Sequence, residues 1–172
     1  MTQAVPSPAA AAPSLEEVST RFREAMASYP SGVTIVTTTD DQGVWRGFTA
    51  TSFCSLSADP PMVLVCLAHS AQCHAAFDKA DSWVIQVVPH RHADLAMRFA
   101  TRGADKFGRS DFAPNSDGHP VMEEAAAVLE CEAHVRHDVA DHTILIGRVR
   151  DVRLRDDAPA VYFRRGFHSL AH

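Results

Sequence analysis

Apolar and polar positions along the chain change period several times, and each change predicts an element. Leu15, Val18, Phe22, Ala25 or Met26, and Tyr29 recur at helical spacing behind Ser14 and Glu17, a capping box, so a helix is predicted from about 15 to 28. Pro30, Ser31 and Gly32 end it. The following run, 32–39, is β-branched at most positions and leads into Asp40-Asp41-Gln42-Gly43, a strand and a hairpin turn. Extended segments are then expected at 44–50, 52–57 and 61–67 as a continuing meander, with prolines at 60 and 61 interrupting the last pair.

A short helix is predicted between Ser70 and Ala80 and a strand over 82–88. A second well-marked helix is expected from His90 to Arg102 with Gly103 as its C-cap. Residues 106–120 show no sustained period and read as a long surface loop. Beyond it, Leu129, Cys131, Ala133 and Val135 alternate with Glu130, Glu132, His134 and Arg136, a strand with one wet face. In 142–154 the apolar parity switches between Val149 and Val152, which predicts a bulge near Arg150-Asp151. Six to eight antiparallel segments with few helices and no βαβ alternation predict a mainly β barrel or sandwich.

Length and charge narrow the possibilities. At 172 residues there is room for one domain. It is expected over 15–172, behind an Ala/Pro-rich disordered tail at 1–14 that lacks the pattern of a signal peptide. Acidic residues exceed basic ones, 21 to 16, with no basic cluster, so nucleic acid is not an expected partner. The longest apolar run, 62–68, is too short to span a bilayer as a helix, and a cytoplasmic protein is expected. Cys54, Cys66, Cys73 and Cys131 read as reduced, buried small hydrophobes.

Much chemistry is excluded by what is missing. No G-x-G-x-x-G, P-loop or G-x-S-x-G motif occurs, so neither a nucleotide fingerprint nor a hydrolase elbow is present. Ten histidines invite a metal reading, but Cys131 and His134 fall on opposite strand faces, and no metal site is predicted. His90 and His92 read as surface imidazoles, and Glu130 and Glu132 as part of a solvated face. Two stretches stand out. Residues 47–61 alternate Thr49, Thr51 and Ser55 with Phe48 and Phe53, so that small residues and hydroxyls could let a flat ligand approach the main chain. Residues 97–107 gather cations and aromatics at a helix end, suited to an anionic aromatic ligand or simply to the helix dipole.

These stretches resemble the short-chain flavin reductases, which supply reduced flavin to two-component monooxygenases. The likeness runs from about Phe22 to Leu170. It is carried by Pro30-Ser-Gly-Val33, Gly47-Phe-Thr-Ala-Thr-Ser-Phe53, Asp59-Pro-Pro61, Asp105-Lys-Phe107, Ala140-Asp-His142, Ile146-Gly-Arg-Val149 and Tyr162-Phe-Arg-Arg-Gly-Phe-His168. The stretch Ala93-Asp-Leu-Ala-Met-Arg-Phe-Ala100 with Ala104-Asp-Lys-Phe107 is especially similar to reductases serving aromatic polyketide hydroxylation in actinomycetes.

The resemblance implies an FMN-binding split β-barrel, antiparallel and Greek-key-like with a few flanking helices, forming a homodimer. It implies FMN or FAD, NADH or NADPH, and a flavin-dependent monooxygenase partner reached by diffusing reduced flavin. Thr49, Ala50, Thr51, Ser52, Phe53 and Ser55 would face the flavin ring; Ser70, Gln72 and Cys73 its phosphate side; Lys106 and Phe107 would close over it. His142, with His168 second, would stand in the nicotinamide pocket, and no residue acts as a nucleophile. The family's usual glycine before the Asp-His pair is Ala140 here, and the 69–74 segment lacks an arginine common among relatives. Two rival readings share this fold: a flavin-binding storage or sensing module without turnover, and an enzyme holding flavin permanently for another small substrate.

Overall fold

The structure, a computed structural model, describes residues 12–109 and 111–170. The segment expected as a tail lies outside the described residues up to position 11. Helix α1 (Leu15–Ala27) starts with the predicted capping box: the Ser14 side chain accepts the Glu17 N–H, and Glu17 accepts the Ser14 N–H. Among the described residues, none of its apolar stripe is buried.

The strands that follow are β1 (Ser31–Gly32), β2 (Thr34–Thr39), β3 (Trp45–Ala50), β4 (Cys54–Ala58) and β5 (Pro61–Ala68). After α2 (His74–Lys79) come β6 (Ser82–Val87), a 3-10 turn at His90–His92 and α3 (Ala93–Ala100). The chain closes with β7 (Phe112–Pro114), β8 (Pro120–Met122), β9 (Ala127–Val139), β10 (His142–Leu154), β11 (Ala160–Phe163) and β12 (Gly166–Ser169). Seven strands form one antiparallel sheet in the order β3-β2-β6-β9-β10-β5-β4.

That order corrects the expected meander. The hairpins β2–β3 and β4–β5 are each local, but the 51–53 connection carries the chain from one sheet edge to the other. The sheet curls until β3 approaches β5, so Phe48 and Ala50 share a core with Val63, Val65 and Leu67. The result is a split antiparallel barrel: the edge strands β3 and β4 close over one interior without pairing.

Curvature comes from the long pair β9–β10. Its register slips between Val149 and Asp151, at the predicted bulge, and again between Ile146 and Gly147, opposite His134. Near the second slip, a Cβ on Gly147 would lie 3.0 Å from both Trp83 and Cys131, so glycine there relieves a tight approach to the indole in the interior.

Strands β2 and β6 are buried on both faces, which explains their near-continuous apolar runs. Val36, Trp83 and Ile85 fill the barrel; Val33, Ile35 and Val84 face a second core under α3 and the β7–β8 hairpin. That hairpin occupies the stretch expected to be a plain loop. It is tied down by Gln86, which is fully buried: its Oε1 accepts the Met122 N–H and its Nε2 donates to Thr37 Oγ1 at 2.9 Å. Thr37 Oγ1 in turn donates to the Pro120 carbonyl at 2.5 Å.

Smaller corrections follow from the same packing. α3 is capped at Thr101, and Gly103, with φ +77°, turns the chain two residues later. His92 contacts Glu124 at 2.7 Å. All four cysteines are free, but only Cys73 and Cys131 are buried; Cys66 is half-buried and Cys54 lies exposed on the edge strand β4. No helix among the described residues is long and apolar enough to cross a membrane.

Candidate functional site

Four segments distant in sequence meet at one mouth of the barrel. β3 brings Thr49, the β5–α2 connection brings Ser70, Gln72 and Cys73, the turn after α3 brings Lys106, and the start of β10 brings His142. Together they line a cavity of about 360 Å³ floored by Phe48 and Phe99. A second cavity of about 480 Å³, lined by Trp45, Ala104 and Phe107, shares Gln72, Cys73 and Lys106 with it. Each lies in the size range of small-molecule sites. A larger cleft of about 570 Å³ under the β7–β8 hairpin contains none of the sequence-predicted residues.

The side chains are held by specific bonds. Thr49 Oγ1 donates to the Ala96 carbonyl at 2.6 Å, locking β3 to α3. Lys106 Nζ donates to the carbonyls of Phe99 (2.6 Å) and Gly47 (3.2 Å), near the carbonyl end of α3, where a cation is favoured. Burial lowers the ammonium's pKa, so its charge is kept at a cost in this half-buried place. The same burial pushes the Cys73 thiol up, against the opposing influence of Lys106. Cys73 is therefore a packed neutral thiol and not a nucleophile. Gln72 Oε1 accepts the Gly103 N–H at 2.9 Å, which joins the 70–73 turn to the end of α3.

His142 lies at the cavity edge with Nδ1 2.8 Å from Asp141 Oδ1, and that bond holds the Asp141 carboxyl below the usual carboxylate range. Ala140 takes φ +54°, the left-handed conformation that favours glycine. The hairpin carrying His142 is kept, with backbone strain of roughly 1–3 kcal/mol stored at Ala140.

Other predicted residues lie outside the lining of the first cavity. Ala50 is buried, and its carbonyl accepts Thr34 Oγ1 at 3.0 Å. Thr51, Ser52 and Phe53 form the crossing between sheet edges. Thr51 is exposed, Phe53 packs against the barrel core, and Ser52 Oγ accepts the Cys66 N–H at 3.0 Å, alongside the wall that Cys66 gives the cavity. Ser55 is exposed on β4 opposite Val63. Phe107 lines the second cavity, edge-on to Phe99 and Trp45. His168 is on β12, bonded to the Phe163 carbonyl at 3.2 Å, and lines neither cavity. The structure adds Arg102 to the lining. It supplies a cation from the α3 side where the 69–74 segment has no arginine, and only its place in the cationic stretch 97–107 signals it.

A curled antiparallel sheet whose mouth gathers hydroxyls, an amide and cations over aromatic rings defines a small ligand-binding β-barrel. The chain belongs to the flavin reductase like domain family, whose model matches residues 26–171. A relative from Streptomyces coelicolor, named actinorhodin polyketide dimerase, is 45% identical over 150 residues, covering 87% of this chain and 85% of its own. A second, from Streptomyces pristinaespiralis, is named NADH:riboflavin 5'-phosphate oxidoreductase; it is 37% identical, with 86% of each chain covered. A third, the reductase subunit HsaB of a flavin-dependent monooxygenase from Rhodococcus jostii, is 33% identical over 84% of this chain and 74% of its own. Among solved structures, the NADH:FAD oxidoreductase SgcE6 of Streptomyces globisporus, in complex with NAD and FAD fragments, superposes with a TM-score of 0.83 at 29% identity, covering 89% of this chain and 93% of that one.

Proposed function

We propose that this chain is an NAD(P)H-dependent flavin reductase that reduces free FMN or FAD for a partner monooxygenase, with the paired cavities as its site. The observation that carries the reading is the convergence of Thr49, Gln72, Cys73, Lys106 and His142, from four distant segments, on one cavity. The residues suit the group. Phe48 and Phe99 offer an apolar floor for an aromatic ring system, and Arg102 with Lys106 offers positive charge to an anionic tail. Bound flavin supplies the hydride-accepting ring and the nicotinamide the hydride.

The protein's part is placement. Thr49, fixed to α3, and the 70–73 turn, fixed to Gly103, give the ligand rigid walls. Lys106 holds its charge at the rim where the two cavities meet. His142, oriented by Asp141, stands at the edge where a nicotinamide would enter. Nothing in this arrangement needs a side-chain nucleophile. Thr51, Ser52 and Ser55, along the sheet edge, would extend the flavin wall, with Ala50 and Phe53 holding that edge in place; His168 is a secondary candidate contact.

A homodimer is part of the proposal. Leu15, Val18, Phe22, Met26 and Tyr29 of the first helix and its end stand exposed, and each large apolar side chain yields roughly 1.5–3 kcal/mol when fully covered. A second copy is the natural cover, and sedimentation at the mass of one 18.7 kDa chain would reject it. We place the enzyme in the cytoplasm, with reduced flavin reaching the oxygenase by diffusion. Purified protein should oxidise NADH or NADPH in proportion to added flavin up to saturation. Flavin retained through gel filtration with no NAD(P)H oxidation would favour the storage or sensing reading.

A further inference from the structure

Outside the cavity, one side-chain cluster is not used by the proposed reaction. His69 directly follows β5, His74 opens α2, and Asp138 lies near the end of β9, so three separate segments converge. Their ligating atoms all lie within 4.8 Å of one another. His69 Nε2 is 3.3 Å from Asp138 Oδ1, and the two imidazole rings stand edge to face at 5.1 Å. Thr143 Oγ1 donates to Asp138 Oδ1 at 2.6 Å and lies 2.8 Å from His74 Nε2. The His69 main-chain N–H donates to the Asp141 carbonyl at 2.9 Å, which fixes the β5 end against the β9–β10 hairpin.

We propose that His69, His74 and Asp138 form a binding site for one divalent transition-metal ion of the zinc type. Two imidazoles and one carboxylate are a facial three-ligand set that leaves further positions to water. Nitrogen donors select zinc, cobalt or nickel over magnesium and calcium, which take oxygen ligands. Ligands at about 2.0–2.1 Å in a tetrahedral site stand roughly 3.4 Å apart, so the cluster needs to contract by up to about 1.4 Å. Exposed side chains on His69 and Asp138 leave room for that rotation.

The supporting groups point the same way. Thr143 Oγ1 and His69 Nε2 both lie against Asp138 Oδ1, so the carboxylate is held facing the two imidazoles. Thr143 occupies the place of an outer hydrogen-bond partner that orients a ligating carboxylate. The site brackets the 70–73 turn, so a bound ion pins the segment that walls the cavity. Metal binding itself does not depend on the flavin reading.

The test is calorimetric titration of Zn²⁺ alone into the full chain free of any histidine tag, repeated with Co²⁺ followed by visible absorption. The expected result is one ion per chain, weakened at least ten-fold by His69→Gln and by Asp138→Asn. The double variant His134→Gln/His137→Gln should bind as the parent does. The absence of saturable Zn²⁺ binding at millimolar ion overturns the proposal. So does binding that both His69→Gln and Asp138→Asn leave unchanged, since both positions are solvent-accessible and their variants should fold.

Discussion

Gly47→Ala puts one methyl group where the barrel and its site are most tightly joined. A Cβ at position 47 would lie 2.8 Å and 3.2 Å from two ring carbons of Phe99 and 3.0 Å from the Val36 carbonyl oxygen. Neither neighbour can retreat cheaply. The Val36 carbonyl is main chain in a central strand, and the Phe99 ring is wedged against Phe107 (5.1 Å) and Phe112 (5.3 Å). Overpacking of this kind costs about 1–3 kcal/mol. For a domain of this size that lowers Tm by about 2–12 °C.

The displacement also reaches function. Lys106 is anchored on the carbonyls of Gly47 and Phe99, so pushing β3 from α3 loosens the cation at the cavity rim. Thermal unfolding and flavin titration by fluorescence quenching read the two effects. Gly32→Ala, with nothing within 4 Å of its Cβ, is the control and should stay within about 0.5 kcal/mol of the parent. A Gly47→Ala protein with the parent's Tm and flavin affinity would refute the close approach and its link to Lys106.

Further outcomes follow from the same contacts. Lys106→Met should weaken flavin about ten-fold while leaving stability within about 1 kcal/mol, because the lost hydrogen bonds are offset by relief of a desolvated charge; equal loss of both would contradict this. His142→Ala should raise the KM for NADH several-fold with the flavin KM unchanged; an unchanged nicotinamide KM would remove it from the pocket. His119 accepts the Thr39 N–H at Nδ1 (3.1 Å), and burial holds its pKa below 6.5. The unfolded chain therefore binds the extra proton first, and stability falls as pH drops from about 6.5 toward the lower folded value. NMR titration showing an ordinary imidazole value for His119 would contradict that.

Legibility in the sequence tracked locality. The α1 capping box, the Arg150-Asp151 bulge and the β-branched run of β2 are short-range patterns, and each is where it was expected. The β7–β8 hairpin escaped because three-residue strands are too short to show a period, and its anchor, Gln86, lies in a different strand. Sheet order escaped because the 51–53 crossing has no local marker: its residues read as extended whichever edge they join.

The site is legible through family resemblance more than through pattern. Thr49, Ser70, Gln72, Cys73, Lys106 and His142 come together in the structure, yet no spacing links positions 49 and 142. The His69–His74–Asp138 cluster depends on the β5 end meeting the β9–β10 hairpin, a register that only the folded sheet reveals. Sequence proximity offers Cys131 with His134, which fall on opposite faces of one strand.

The most direct test is steady-state NADH oxidation by the purified chain as free FMN, then FAD, is titrated in. The rate should rise with added flavin and saturate, with reduced flavin appearing in solution. No oxidation with either flavin, or a rate indifferent to the flavin added, would contradict it.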